Sequence, residues 1–326
     1  MEGFDILLSK IKEYDKIAIF GHTRPDGDCY GSLNGLKNII LSSFTRKRVF
    51  CLTSHVENLS FLGRMDDVDD EELHDCLAIV CDTSTRDRIA DQRYKLCKEI
   101  IKLDHHIIID NYGDYNIVDE DIAATSLLVT RFLLSYPDEL RITEKGATAL
   151  YTGTMTDTSN FKYRGVNLET FVLAGKLIEL GADAEYIDQQ LSAESLRATR
   201  LKAYIYQSIK VTKNGVVYAR LSKSIIKLYN VSYEEAAQYV NLLANIKECP
   251  VWILFIGYPK EVRIRIRSNG PDINMLAEAY GGGGHQKAAG ASVNSWKKIG
   301  SLIKEADRLV KCYKENIPYE VKKGRN

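Results

Sequence analysis

The stretch KIAIFGHTRPDGDCYGS (16–32) joins two patterns. KIAIF (16–20) is a short apolar run of the length of a buried strand. Directly after it come His22, Asp26 and Asp28, spaced four and two apart, with Pro25 and Gly27 setting the direction of the loop. A helical pattern then runs from Tyr30 to Phe44. Strand, polar loop and helix in that order make the first βα unit of a parallel sheet. In isolation the segment reads equally well as a surface turn in which Asp28 caps the following helix.

Outward from this unit the alternation continues. KRVFCL (47–52), LAIVC (77–81) and EIIKL (99–103) are further strand-length apolar runs, and polar residues follow two of them at once. Asp82 comes after LAIVC, and Asp104-His105-His106 come after EIIKL. The fold class is therefore α/β, a mostly parallel sheet flanked by helices. Ligands of such sheets bind outside the carboxyl ends of the strands, so three polar clusters at three strand ends should converge. Beyond residue 120 the pattern turns helical, over 123–134, 144–156 and 168–180. A polar stretch from Ala184 to about Ser208 follows Gly181 and reads as a helical connector. The remainder mixes strands at 215–221, 251–258 and 262–267 with helices at 233–246, 272–280 and 296–313, a smaller α+β domain. The expected division is 1–187 for the first domain, 188–210 for the linker and 211–326 for the second, with the polar end VKKGRN (321–326) fraying.

Composition excludes several classes. A chain of 326 residues fits two hydrophobic cores better than one. With 45% hydrophobic and 27% charged residues, and no apolar run near the roughly 20 residues of a membrane helix, no membrane association is expected. MEGFDILLSK (1–10) does not read as a targeting signal. The 7 cysteines include no CxxC pair, which argues for reduced thiols and a cytoplasmic protein. Lys plus Arg equals Asp plus Glu, so no global field exists to hold a long duplex nucleic acid. A polyanionic substrate must be small or locally held.

The clusters carry a chemical requirement. TGTMTDTSNF (152–161) adds Asp157 at the end of a helical pattern. Four carboxylates within about 4 Å of one another would repel by roughly 4 kcal/mol per pair at an effective dielectric near 20. Something positive must sit among them. Imidazole mixed with carboxylate favours manganese, cobalt or iron over magnesium, and the lack of cysteine ligands weighs against structural zinc.

These segments carry a resemblance. HTRPDGDCYGS, CDTSTRDRI, LDHH with the following NYGDYN, TDTSNF, and a distal RIRSNGP with GGGGHQKAAG resemble the DHH phosphoesterase family, in its nanoRNase and pAp (3′-phosphoadenosine 5′-phosphate) phosphatase branch. The resemblance spans roughly residues 5 to 315 and implies a DHH domain followed by a DHH-associated domain. It implies two divalent metal ions, expected to be Mn2+. His22, Asp26 and Asp82 would hold one and Asp28, His105 and Asp157 the other, with Asp82 bridging. Two ions about 3.5 to 4 Å apart can stabilise both the attacking and the leaving oxygen. His106 is assigned to the phosphate rather than to a metal. Three departures stand out. Ser159 replaces a usual glycine, Leu127 stands where relatives commonly have an acid, and Cys29 follows Asp28 where a small apolar residue is usual.

In the second domain, VRIRIRS puts Arg263, Arg265 and Arg267 on one strand face. Arg267 and Ser268 lie at the strand end, where they can reach a phosphate. Gly283 and Gly284 let backbone amides approach a ligand, and His285 adds a donor. The resemblance implies that this domain grips the end of a short substrate, and a cleft closed by it would admit only a few nucleotides. Tyr30 could stack a base or simply pack. The leading expectation is hydrolysis of short RNA oligonucleotides or dinucleotides to nucleoside 5′-monophosphates, with pAp as a second substrate; a homodimer is compatible with it. The alternatives are a cyclic di-AMP or pApA phosphodiesterase, an inorganic pyrophosphatase, and a nucleotide sensor without turnover.

Overall fold

The computed structural model describes residues 2–163 and 165–320, so the end at 321–326 lies outside the described residues. Contacts divide the chain into two compact units, Met1–Ala193 and Glu194–Asn326.

The first unit contains α1 (Glu2–Glu13), β1 (Lys16–Phe20), α2 (Gly27–Ser43), β2 (Arg48–Leu52), α3 (Asp70–Leu73), β3 (Cys76–Cys81), β4 (Glu99–Asp104), β5 (Tyr115–Val118), α4 (Thr125–Ser135), α5 (Glu144–Asp157), α6 (Leu168–Glu179) and α7 (Ala184–Ser192). Its five strands form one sheet in the order β2-β1-β3-β4-β5, and every pair is parallel. The α/β reading of the sequence holds. The alternation of β1 explains the layers: Ile17 and Ile19 face α1, α2, α4 and α5, while Ala18 and Phe20 face a thinner layer. That second layer is built from α3 and short 3-10 turns, including Gln92–Leu96 with buried Tyr94.

Helices α2 and α5 approach closely because glycines line their contact. A Cβ on Gly31 would stand 2.4 Å from the Ala149 carbonyl oxygen, and one on Gly35 would stand 2.4 Å from the Leu150 side chain. Dense packing of this kind fixes both helices against each other. Asp28 near the start of α2 and Asp157 at the end of α5 inherit that fixity.

The second unit contains α8 (Leu196–Gln207), β6 (Lys210–Val211), β7 (Val216–Leu221), α9 (Lys223–Leu228), α10 (Tyr233–Gln238), β8 (Val251–Gly257), β9 (Val262–Ser268), α11 (Asn274–Glu278), β10 (Gly283–Gly284), β11 (Ala288–Val293) and α12 (Ile299–Lys314). Its mixed sheet has the order β10-β11-β9-β8-β7-β6, with only β7 and β8 parallel. The polar stretch read as one connector is two helices, α7 and α8, separated at Ala193–Ser195. Leu201 and Ile205 of α8 are buried in the core of the second unit. The helix expected over 233–246 is α10 followed by a 3-10 turn, Tyr239–Leu243.

Candidate metal centre

The strand order β2-β1-β3 reverses direction at β1, and in open α/β sheets that reversal leaves a crevice at the carboxyl ends of the adjacent strands. His22 follows β1, Asp82 follows β3, and His105 and His106 follow β4. The helices supply Asp26, Asp28 and Asp157. All these residues meet in one cluster.

The two imidazoles that face its centre are oriented in the same way. His22 has Nδ1 2.9 Å from the Thr23 carbonyl and Nε2 3.4 Å from Asp82 and 3.8 Å from Asp26. His105 has Nδ1 3.3 Å from the Ile122 carbonyl and Nε2 3.6 Å from Asp82 and 3.4 Å from Asp157. A carbonyl at Nδ1 fixes the proton there and leaves the Nε2 lone pair facing carboxylate oxygens. Lone pairs face lone pairs unless a proton or a metal ion lies between them. The ligand atoms of Asp28, His105 and Asp157 lie within 4.8 Å of one another, as do those of Asp82, His105 and His106. An oxygen and imidazole donor set with shared members fits a pair of divalent cations.

Protonation tells the same story for the metal-free protein. Burial, and then the charge of Asp28, pushes the Asp82 carboxyl up to about 7 and the Asp157 carboxyl up to about 6. Burial works against a charge on His22, but hydrogen bonds to Asp26 and Asp82 outweigh it and raise its pKa to about 10. Protons here hold places that a cation can take, with proton release on binding.

Backbone geometry holds the carboxylates in place. Asp82 has φ 53°, a left-handed conformation that Asp adopts more readily than most residues. The cap of α2 is Asp26, which accepts from the amides of Asp28 and Cys29, each at 3.1 Å. The expectation of an Asp28 cap is corrected, because the helix already begins at Gly27. Asp28 is buried and accepts instead from the amides of Thr125 (2.7 Å) and Ser126 (2.9 Å). Ala124 has no side chain to cap α4, so Asp28 closes that helix from across the core. The Ala124-Thr125-Ser126 triplet thus supports Asp28 through backbone donors, with no acidic side chain at Leu127 taking part. Thr125 Oγ1 also donates to Asp82 at 3.3 Å.

His106 is held differently. Its Nδ1 lies 2.8 Å from Asp104, a fully buried carboxylate whose role the sequence left unassigned. That bond raises the pKa of His106, against burial, and leaves Nε2 free. Cys29 lies with its sulfur within 4.8 Å of ligand atoms of His22 and Asp82. Burial, and then Asp82, pushes its thiol well above the ordinary value, so it is a neutral packed side chain. Tyr30 is also fully buried and its hydroxyl bonds the loop at Ser54 and Val56, so it stacks on no base. Ser159, where the resemblance implies a glycine, has φ 49° and begins a left-handed run through Asn160 and Phe161, one residue beyond the Thr158 that ends α5 after Asp157.

The residues singled out in the second unit are placed as follows. Arg263 and Arg265 are exposed on β9, and Arg267, at its end, is half-buried with Nη1 2.9 Å from the Ile266 carbonyl. Ser268 departs from expectation: it is buried, donates to the Pro271 carbonyl at 2.6 Å and accepts from the Gly270 amide at 3.0 Å. Its hydroxyl shapes the turn and is not presented to a ligand. Gly284 has φ 142° and packs against β11, whereas Gly283 faces open space. His285 is exposed, in a tight turn that its amide closes on Ala288 at 2.9 Å.

Comparison with known proteins accounts for both units. The DHH family N-terminal domain model matches residues 16–154, and the DHHA1 domain model matches residues 213–311. The chain is 35% identical over 312 residues to the probable bifunctional oligoribonuclease and PAP phosphatase NrnA of Streptococcus mutans, covering 95% of this chain and 100% of that one. It is 34% identical over 306 residues to the bifunctional oligoribonuclease and PAP phosphatase NrnA of Bacillus subtilis, covering 94% and 98%. The crystal structure of an exopolyphosphatase-related protein from Bacteroides fragilis aligns with a TM-score of 0.77 at 25% identity, covering 95% of this chain and 98% of that one. With the resemblance read from the motifs thus borne out along nearly the whole chain, the protein belongs to the DHH phosphoesterase family and carries a DHHA1 domain as its second unit.

Proposed function

We propose that this protein hydrolyses very short oligoribonucleotides to nucleoside 5′-monophosphates and also dephosphorylates pAp, with manganese as its working cation. The observation that carries the reading is the convergence of Asp26, Asp28, Asp82 and Asp157 with His22 and His105 at the sheet reversal, in a chain whose full-length relatives bear that activity in their names. In this reading His22, Asp26 and Asp82 hold one cation, Asp28, His105 and Asp157 hold the other, and Asp82 is shared.

Two divalent cations bound there would offset the carboxylate charge and stabilise negative charge developing on a phosphate. The chain's own groups do the rest. Asp104 holds His106 at Nδ1, so that Nε2–H can donate to a phosphate oxygen, most strongly when that oxygen gains charge. Thr125 and the amides that anchor Asp28 keep the carboxylates from rotating during turnover. In the second unit, Arg267, Gly283, Gly284 and His285 are the proposed substrate contacts, with Ser268 acting only through the turn it shapes. The cysteines are all unpaired, which agrees with work in the reducing cytoplasm.

A product time course tests this. With manganese, labelled di- to hexanucleotides, pAp, pApA, cyclic di-AMP and pyrophosphate are run side by side. The expected result is fastest release of mononucleotides from the shortest RNAs, with turnover of pAp. Faster cleavage of cyclic di-AMP or pyrophosphate than of any dinucleotide would overturn the reading.

A further inference from the structure

Lys102 lies on β4, two residues before the Asp-His-His triplet, in a strand where an apolar side chain would be expected. Its neighbours Ile101 and Leu103 pack on the opposite face, with α1, α2 and α4. Lys102 is fully buried. Its ammonium donates to two carbonyls, Ser84 at 3.0 Å and Asp110 at 3.1 Å, and forms an ion pair with Asp104 Oδ2 at 3.3 Å. The Tyr112 ring lies alongside, its centroid 5.1 Å from Nζ. The two carbonyls belong to the loops after β3 and after β4, so one side chain ties together the segments that carry Asp82 and the paired histidines.

Asp104 divides its oxygens between two tasks. Oδ1 receives His106 Nδ1 at 2.8 Å and the His105 amide at 3.0 Å. Oδ2 is buried without a well-aligned hydrogen bond and has the Lys102 charge beside it. A buried carboxylate stripped of that charge would be left uncompensated, and it would rotate or take up a proton.

We propose that Lys102 is a positioning residue for His106: by pinning Asp104 from behind it keeps Oδ1 on Nδ1 and Nε2 presented to the phosphate. The inference rests on the role given to His106 above. A lysine that served only as a strut between two loops would act without reference to His106, and the two roles differ in how losses combine.

The test is a double-variant cycle in the full-length manganese-loaded enzyme on bis(p-nitrophenyl) phosphate, a diester that any phosphodiesterase of this kind should cleave. Lys102→Met is expected to lower kcat roughly 10- to 100-fold with KM within about threefold. His106→Ala is expected to lower kcat by about 10²- to 10⁴-fold. The double variant should be no slower than His106→Ala alone, within about threefold. Losses that multiply, or a Lys102→Met enzyme with unchanged kcat, would overturn the proposal. Should Lys102→Met fail to fold, Lys102→Gln keeps a donor for the carbonyls without the charge, and the same cycle applies. Histidine-selective NMR on the metal-free protein gives a reading independent of turnover: the His106 Hδ1 resonance, slowed in exchange by Asp104, should broaden or shift in the Lys102 variant. An unmoved resonance would also overturn the proposal. If the diester is cleaved and RNA is not, the proposed substrate fails while this inference stands.

Discussion

Replacing Asp82 by Asn separates ion binding from folding. At φ 53° Asn is tolerated nearly as well as Asp, whereas Ala would add backbone strain, so Asn is the cleaner substitution. Burial, then Asp28, raises the Asp82 carboxyl from the ordinary 3.8 to about 7. Below about pH 4 the proton is bound whether the chain is folded or not, and the group costs nothing. Between about 4 and 7 the unfolded chain gives up its proton first, so stability falls as pH rises. Above 7 the metal-free fold carries the full penalty, roughly 4 kcal/mol. Asn has no charge to bury, but its single side-chain oxygen can keep only one of the contacts to His22 at 3.4 Å and Thr125 at 3.3 Å and has no charge to pair with His22, which returns about half of that sum. The expected net gain at about pH 8 in chelator is about 2 kcal/mol, a rise in Tm of roughly 4 to 8 °C. At about pH 5 the two proteins should converge. Manganese reverses the order, because only the wild type gains a ligand-bound state, and Asp82→Asn should lose manganese-dependent turnover. Thermal scans in chelator and in manganese at both pH values check this. A variant less stable than wild type in chelator at about pH 8, or one still stabilised by manganese to the wild-type extent, would refute the reasoning.

Three further outcomes are expected. His22, raised to about 10 by Asp26 and Asp82 against the opposing effect of burial, holds a proton that the unfolded chain loses above 6.5. The stability it contributes is present below 6.5 and is lost as pH climbs through 10, so the metal-free Tm should decline over that range and manganese should flatten the slope; parallel slopes with and without the ion would contradict this. Gly31→Ala drives a Cβ to 2.4 Å from the Ala149 carbonyl, so a loss of about 1 to 3 kcal/mol is expected, with weaker manganese binding by calorimetric titration because Asp28 and Asp157 ride on the helices forced apart. Arg267→Ala should raise KM on dinucleotides several-fold more than on an aryl phosphodiester, and equal effects on both would remove the second unit from substrate binding.

The parts of this protein that were legible in its sequence are those where pattern and chemistry coincide. β1, β3 and β4 are apolar runs closed by ionisable residues, so strand, loop and ligand could be read at once. β5 (Tyr115–Val118) and β11 (Ala288–Val293) were not, because one is four residues with mixed burial and the other is a run of small residues without β-branched alternation. Asp28 misled as a cap because Asp26 and Asp28 both suit that position, and only the start of the helix at Gly27 decides between them. Tyr30 stayed open between stacking and packing, and Ser268 misled, because side-chain direction depends on partners distant in sequence or on the turn itself. Lys102 is the instructive case. A single lysine in a strand looks like an edge position until its two carbonyl acceptors, from segments up to eighteen residues away, and the Asp104 charge are brought together.

The site also explains how a fold keeps carboxylates close without an ion to hold them. Asp28 has an amide on each oxygen, Asp26 has two on one oxygen, and Asp104 has the His105 amide and the Lys102 charge on opposite sides. Each carboxylate oxygen has a second lone pair, so amide anchoring from the protein side does not compete with a ligand on the other. Asp82 and Asp157 lie at the opposite extreme, with no amide donor to their side chains among the described residues and with the raised carboxyl pKa values of the cluster. Repulsion that backbone amides absorb at Asp26 and Asp28 therefore collects at Asp82 and Asp157. On the proposed function, a cation arriving there would displace those protons and draw its binding energy from the two residues the fold leaves least supported.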